Sequence, residues 1–415
     1  MSSPDRRIRT FPASAHIGEG KAGADVPIGV RKSAGYLPEL ESLRGIACTL
    51  VALYHLNAYV CDTEGKAGLI ATPLSAFVLA GHAGVNMFFV LSAFLLSIPF
   101  LIEADGGKPV MLRSYYARRA LRILPLYYVA VIGGTILSAE SPRDLLVGVP
   151  HLFFLNATTA FYVDGLMPYR GVWWTLGTEM QFYLLLPLLP LFLRTRRGRW
   201  LGAGVLIGYA LAYLGYLYGV IRMKTILGEI LLGLSLFGHA PLFLIGIAAA
   251  WVYLHYGERI HDWMIRSAVL RNGGADLALL STITVLGYVL RWAAFRGFWG
   301  VEGGAPAHAW HVVDGALWAL IVLLMLLAPL HLKGVLSNAV TLRLGVLSYS
   351  IYLWHYPIFK FGIDAFRRLR PAEGPGWDPA TLGAAAVLGG VCVIFSTLTY
   401  RFIERPFLAM KQRIT

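Results

Sequence analysis

The chain has 415 residues, 57% hydrophobic and 14% charged, with a mean hydropathy of +0.62 and a formal net charge of +13. Soluble domains carry roughly a quarter charged residues, so the composition excludes one and points to an integral membrane protein. The basic residues fall in clusters between apolar runs and do not form one face or tail, which argues against a nucleic-acid partner.

Residues 1–35 are polar and Gly-rich and lack the apolar core of a signal peptide, so a flexible, retained tail is expected there. A helical span needs about 20 mainly apolar residues. Ten stretches qualify: 43–61, 75–102, 118–138, 173–193, 200–219, 239–256, 276–295, 312–331, 343–363 and 381–403. The predicted fold is therefore all-α, a polytopic membrane bundle of about ten helices over residues 36–410, with 411–415 as the C-terminal end. The stretch 144–162 is also apolar, but Pro150, His151 and Asn156 interrupt it, and a re-entrant or surface element is expected. No internal repeat or appended soluble domain is evident. With the N-terminus inside, 24 Lys and Arg fall on the cytoplasmic side and 10 on the other, which predicts two cytoplasmic termini. Cys48, Cys61 and Cys392 have neither disulfide-framework nor metal-ligand spacing and read as small packing residues.

The first span, ESLRGIACTLVALYHLNAYV, carries Arg44 near one end and His55 near the other. Eleven helical steps bring the two back to within about 20° of each other, about 16.5 Å apart along the axis. Arg44 alone reads equally as an anchor that snorkels to lipid phosphates, and His55 alone as a hydrogen-bonded packing residue. Ionisable groups inside a membrane are costly and tend to be functional, and their sharing of one face favours a joint role.

The third span opens with RRALRILP. Arg118 and Arg122 share a helix face and Arg119 flanks them. Topology asks only for positive charge, whereas a guanidinium also binds phosphate through paired hydrogen bonds that lysine cannot reproduce. A lipid anchor and a site for a phosphorylated ligand entering from the cytoplasm are the two readings. In the fourth span Glu179 lies about six residues below the outer end, or ~9 Å, and His55 some 12 Å below the same surface. A carboxylate at that depth would fix the imidazole tautomer and stabilise its charged form, or else partner an arginine or the indole of Trp173 or Trp174.

YLPELESLRGIACTLVALYH, GVNMFFVLSAFLLS, RRALRILP, WWTLGTEMQFYLLLPLL, LSYSIYLWHYPI and the closing ERPF occur in this order over residues 36–407. Together they resemble the acyltransferase-3 family of membrane acyltransferases. The resemblance implies ten membrane helices and transfer of an acyl group, commonly acetyl from acetyl-CoA, to a hydroxyl of a carbohydrate or secondary metabolite. It implies that Arg44 and His55, which match the family's Arg-x10-His pattern, and Arg118, Arg119 and Arg122 are required for activity. Glu179 matches the acidic position that follows Trp174 and Thr175. In VLSAF, Ala93 stands where the family commonly has glycine, so a helix contact there is expected to differ.

On this resemblance His55 is the general base and Arg44 holds the phosphates of an acyl-CoA co-substrate. An imidazole's ordinary pKa of about 6.5 suits it to take a hydroxyl proton at neutral pH. Asn86, Ser92, Tyr349 and His355 are candidates for stabilising the oxyanion, and a covalent acyl-histidine step remains an alternative. No permanently bound cofactor is expected, and no metal, because His82, His239, His311 and His331 lack ligand spacing with a carboxylate. Expected partners are acyl-CoA, membrane lipid and a carbohydrate or lipid-linked glycan at a bacterial plasma membrane, with a macrolide-type metabolite as the alternative acceptor. A transporter or flippase for an anionic substrate is the rival from another class; it would call for discontinuous spans and inverted repeats, neither of which is evident.

Overall fold

The structure, a computed structural model, describes residues 37–61, 77–155, 171–219, 233–295, 306–370 and 375–411. The predicted tail 1–35 and residues 156–162 of the interrupted stretch lie outside them. In chain order the helices are α1 (Pro38–Cys61), α2 (Ala83–Ala104), α3 (Leu112–Ser138), α4 (Trp174–Leu185), α5 (Arg196–Leu217), α6 (Leu236–Arg266), α7 (Ala275–Phe295), α8 (Pro306–Leu327), α9 (Ala339–Leu369), α10 (Pro379–Thr399) and a short α11 (Arg405–Met410). Among the described residues, eight helices are long and apolar enough to cross a membrane, including Trp174–Leu193, which continues α4 through two short turns, and Pro379–Met410, which joins α10 and α11. The other two predicted spans are α1 and α9, whose polar load sets them apart from those eight. The polytopic helical bundle expected from hydropathy is thus the architecture of the chain. The interrupted stretch is not a long helix through residue 155. A 3-10 segment Pro142–Gly148 leads into one turn, Val149–Leu152, and the carbonyl of His151 accepts from the Tyr127 hydroxyl at 2.7 Å.

α1 and α9 run parallel, and contacts along their length fix the register. Ser42 Oγ meets Ser337 Oγ at 3.0 Å, Cys48 Sγ donates to the Ser348 carbonyl at 3.3 Å, and Arg367 Nη2 donates to the Tyr59 carbonyl at 2.8 Å. At the foot of the pair, Lys333 and Glu39 form an ion pair at 2.7 Å. The start of α9 is set by Asn338, whose Oδ1 accepts from the Val340 and Thr341 amides, while Thr341 Oγ1 accepts from the Asn338 amide. Reciprocal capping of this kind satisfies amides that the first turn leaves open.

Glycine makes the approach possible. A Cβ on Gly45 would collide with the Thr341 carbonyl oxygen, and one on Gly345 with that of Glu41. Gly84 and Gly81 of the segment entering α2 meet the Ala47 and Leu50 carbonyls in the same way, so α1 is held between two glycine-lined neighbours. Membrane interfaces use small residues in this manner because lipid provides no hydrophobic drive between helices. The expected departure at Ala93 has its counterpart on α6, where Gly246 faces Val90 and Ala93 and leaves room for the methyl group.

Gly345→Ala is expected to destabilise the protein by about 1–3 kcal/mol, because the opposing atom is backbone and cannot swing aside. Gly383→Ala, at a position with open space around it, is the control and should leave the thermal midpoint level. Thermal unfolding of the two variants in detergent measures this; equal midpoints would mean that the helices are not so closely apposed.

Candidate active site

The site is built along one side of α1. At its first end the structure gathers all four predicted arginines. Arg44 is half-buried on α1, and Arg122, Glu41 and Glu179 are the charged groups that act on it. Lys411, the first residue beyond α11, lies within electrostatic range of Arg119, Arg122, Arg118 and Arg44. Burial first, and then these four guanidinium charges, push its ammonium pKa down to about 8. Arg122 also pairs with buried Glu404, Nη1 to Oε2 at 3.4 Å. Five cations thus face three carboxylates, Glu41, Glu179 and Glu404, and the surplus of positive charge can hold an anion.

Glu179 occupies the middle level. Its Oε1 accepts from Ser92 Oγ and its Oε2 from the Tyr183 hydroxyl, both at 2.8 Å, and Arg44 and Arg119 act on it electrostatically. The depth estimate from hydropathy sets it level with His55, but the structure does not bring the two together. The reason lies before α4. Trp173 is 1% exposed, Gly171 packs its backbone against the Tyr356 ring, and Thr175 Oγ1 meets the Tyr352 hydroxyl at 2.8 Å. The chain has already dipped into the bundle when the helix starts, so Glu179 lies about one turn, ~6 Å, further along than Thr175.

What meets His55 is His355. His355 Nε2 lies 3.0 Å from His55 Nδ1. His55 Nδ1 is also 3.0 Å from the Val51 carbonyl, and His355 Nδ1 3.0 Å from that of Ile351. A carbonyl only accepts, so both Nδ1 atoms carry protons, and a neutral His355 then offers the lone pair of Nε2 to His55. One proton assignment satisfies all three contacts. In a neutral His55 protonated at Nδ1, Nε2 is a lone pair, and it has no hydrogen-bond partner among the described residues. The Tyr54 and Tyr356 rings stand edge-on to His55 at 5.0 and 4.9 Å, and His82 lies behind Tyr54 at 4.9 Å.

The remaining candidates fall elsewhere. Asn86 Nδ2 donates to Asp314 Oδ2 at 2.8 Å and to His311 Nδ1 at 3.1 Å. Trp174 packs on His239, which in turn faces His311 with ring centroids 5.0 Å apart. These residues join α2, α6 and α8 in a second buried polar cluster. The first turn of α4 separates the clusters, with Thr175 facing the His55 side and Trp174 the other. Tyr349 donates its hydroxyl to the Ile123 carbonyl at 2.8 Å and lies under Arg122. Ser92 is committed to Glu179.

Glu404 and Lys411 are the site residues to which sequence reasoning gave no role: Glu404 lies in the ERPF fragment that helps carry the resemblance, and nothing in the local spacing marks Lys411. The pairing of His55 with His355 did leave a trace. Gly45 precedes His55 by ten residues and Gly345 precedes His355 by the same ten, so parallel helices that touch at their glycines carry the two histidines at one height.

The sequence profile of a family described as an acyltransferase domain matches residues 37–400. The chain is 25% identical over 395 residues to the peptidoglycan O-acetyltransferase OatA of Listeria monocytogenes, covering 91% of this chain and 56% of that protein. It is 23% identical over 388 residues to the O-acetyltransferase OatA of Staphylococcus aureus, covering 90% and 57%. The chain therefore spans a little over half the length of these curated relatives. No solved structure matches it. The profile takes in almost all of the membrane bundle and both ends of the site, and the chain belongs to the acyltransferase-3 family of membrane acyltransferases.

Proposed function

We propose that the protein is a membrane O-acyltransferase that moves an acetyl group from acetyl-CoA, admitted at the arginine end, to a hydroxyl of a carbohydrate presented at the histidine end. One observation carries the reading: α1 presents Arg44, a member of the cation cluster, and the paired imidazole of His55 on one face, ~16.5 Å apart at the helical rise. That interval suits a donor with a phosphorylated head and a narrow arm ending in a thioester. The Listeria relative acts on peptidoglycan by its name, which favours a glycan acceptor. The excess of Lys and Arg supports an arginine end and both termini on the cytoplasmic side.

In this scheme His55 Nε2 takes the proton of the acceptor hydroxyl as its oxygen attacks the thioester carbonyl. The new C–O bond forms, the C–S bond breaks, and the leaving thiolate receives that proton from His55, so no net proton is consumed. While His55 is charged, its Nδ1–H stays bonded to Val51 and His355. His355 is then a positioning residue that fixes the tautomer, the role expected of a carboxylate. Glu179, between the two ends, holds Ser92 and Tyr183 along the path of the donor arm.

His55→Ala is expected to lower turnover by about 10²–10⁴-fold without weakening acetyl-CoA binding. His355→Ala should lower it by up to about 10²-fold through misorientation, and His355→Gln, which keeps an acceptor, should restore part of the loss. Steady-state CoA release and equilibrium binding on purified variants measure both, and turnover close to the parent's in His55→Ala would remove His55 as base.

Lys411 is charged below about pH 8 and neutral above it, so its attraction for the donor phosphates disappears as pH rises through that value. Acetyl-CoA affinity should fall by about fivefold between pH 7 and 9, and Lys411→Arg should flatten the curve. A parent curve as flat as that of the variant would separate Lys411 from the donor site.

In sealed vesicles of known orientation, transfer is expected with acetyl-CoA on the cytoplasmic side and an impermeant acceptor on the other. Transfer seen only when both share the cytoplasmic side would overturn the sidedness and leave the chemistry in place.

A further inference from the structure

The closing ERPF of the sequence takes no part in the chemistry above. Its Glu404 is 2% exposed and ends a π-helical segment, Tyr400–Glu404, between α10 and α11. A π turn accommodates an extra residue and redirects the side chains beside it, and such turns are frequent at functional sites. Here it aims a carboxylate back into the bundle. Oε1 accepts from the hydroxyl of Ser350 on α9, which itself accepts from Thr399 Oγ1 at 3.3 Å. Oε2 accepts from Arg122 Nη1 on α3 at 3.4 Å.

Arg122 is held from a second direction. Its guanidinium lies over the Tyr349 ring, 5.9 Å from the centroid, and the Tyr349 hydroxyl is bonded to the carbonyl of Ile123, the next residue of α3. One nitrogen and one face of the guanidinium are thus occupied. Nη2 and Nε have no hydrogen-bond partner among the described residues, and the side chain is 17% exposed. The free edge is the one that a phosphate would bridge.

We propose that Glu404 is a positioning residue for donor recognition: it clamps Nη1 of Arg122 and presents the other edge of the guanidinium to a phosphate of acetyl-CoA. The inference rests on the reading of the arginine end as the donor site. Two effects of the carboxylate oppose each other. Its charge repels an anionic donor, whereas its hydrogen bond pre-orders a long, flexible side chain that would otherwise lose freedom on binding. The proposal holds that ordering outweighs repulsion, so removing the charge should weaken binding. A carboxylate that merely tethers α11 to the bundle would act in the opposite sense or not at all.

The test measures acetyl-CoA affinity by equilibrium dialysis on the full-length protein in lipid nanodiscs, comparing the parent with Glu404→Gln, Arg122→Lys and the double variant. Glu404→Gln is expected to weaken binding about fivefold, in line with a charge-assisted hydrogen bond reduced to a weaker neutral one. The double variant should bind no more weakly than Arg122→Lys alone, since the two residues act as one unit. Unchanged or tighter binding in Glu404→Gln, with Arg122→Lys weakened, overturns the proposal and leaves the donor site standing. A parent that does not bind acetyl-CoA, or an Arg122→Lys variant that binds as the parent does, overturns the donor reading and this inference with it. Should Glu404→Gln fail to fold, Ser350→Ala removes the bond to Oε1 and keeps the charge. About twofold weaker binding in that variant supports the proposal, and unchanged affinity overturns it.

Discussion

Close backbone contact between Gly45 of α1 and Gly345 of α9 is the constraint on which the rest of the site depends. Two helices in lipid gain nothing from mutual hydrophobicity, so they pack where small residues let dispersion and weak polar contacts accumulate. The glycines fix separation and register together. From that crossing, equal steps along parallel helices bring His55 and His355 to one height, and a slip of one helix by one residue would turn its imidazole by about 100° relative to the other and part them. Ser42 with Ser337 below and Arg367 with the Tyr59 carbonyl above hold the same register.

Electrostatics divides the site along its length. Cations collect at the end where α1 and α3 begin, and neutral imidazoles at the other. Buried charge in a membrane is tolerated when it is paired or reaches a polar cavity. The arginine end satisfies this in part through Glu404 and Glu179, leaving an excess that suits an anion. Glu179 stands where the two regimes meet, its oxygens saturated by hydroxyl donors from Ser92 and Tyr183. The histidine end needs no counter-ion, since each imidazole proton has a carbonyl acceptor one turn back on its own helix.

The cluster of Asn86, His311 and Asp314 shows why residue type alone is a poor guide here. Its members match those of a catalytic constellation, and Asn86 reads from sequence as a candidate oxyanion donor. In the fold its amide is spent on Asp314 and His311, and it ties α2 to α8 on the far side of the first turn of α4 from His55.

Hydropathy by itself determined the all-helical membrane class and the places of the spans, because a bilayer core admits only segments of about 20 apolar residues whose backbone bonds are internal. Helical periodicity also placed Arg44 and His55 on one face and the three arginines of α3 together, since these relations lie within single helices. Relations between helices were decided by the tertiary structure. His55 faces His355 because two glycines 300 residues apart meet. Glu179 sits deeper than its distance from the start of the span suggested, because Gly171 and Trp173 are already packed inside the bundle. Glu404 and Lys411 reach the arginines because a π turn redirects the last helix onto α3. Periodicity describes each helix about its own axis, and packing of side chains between axes chooses which faces meet and at what depth.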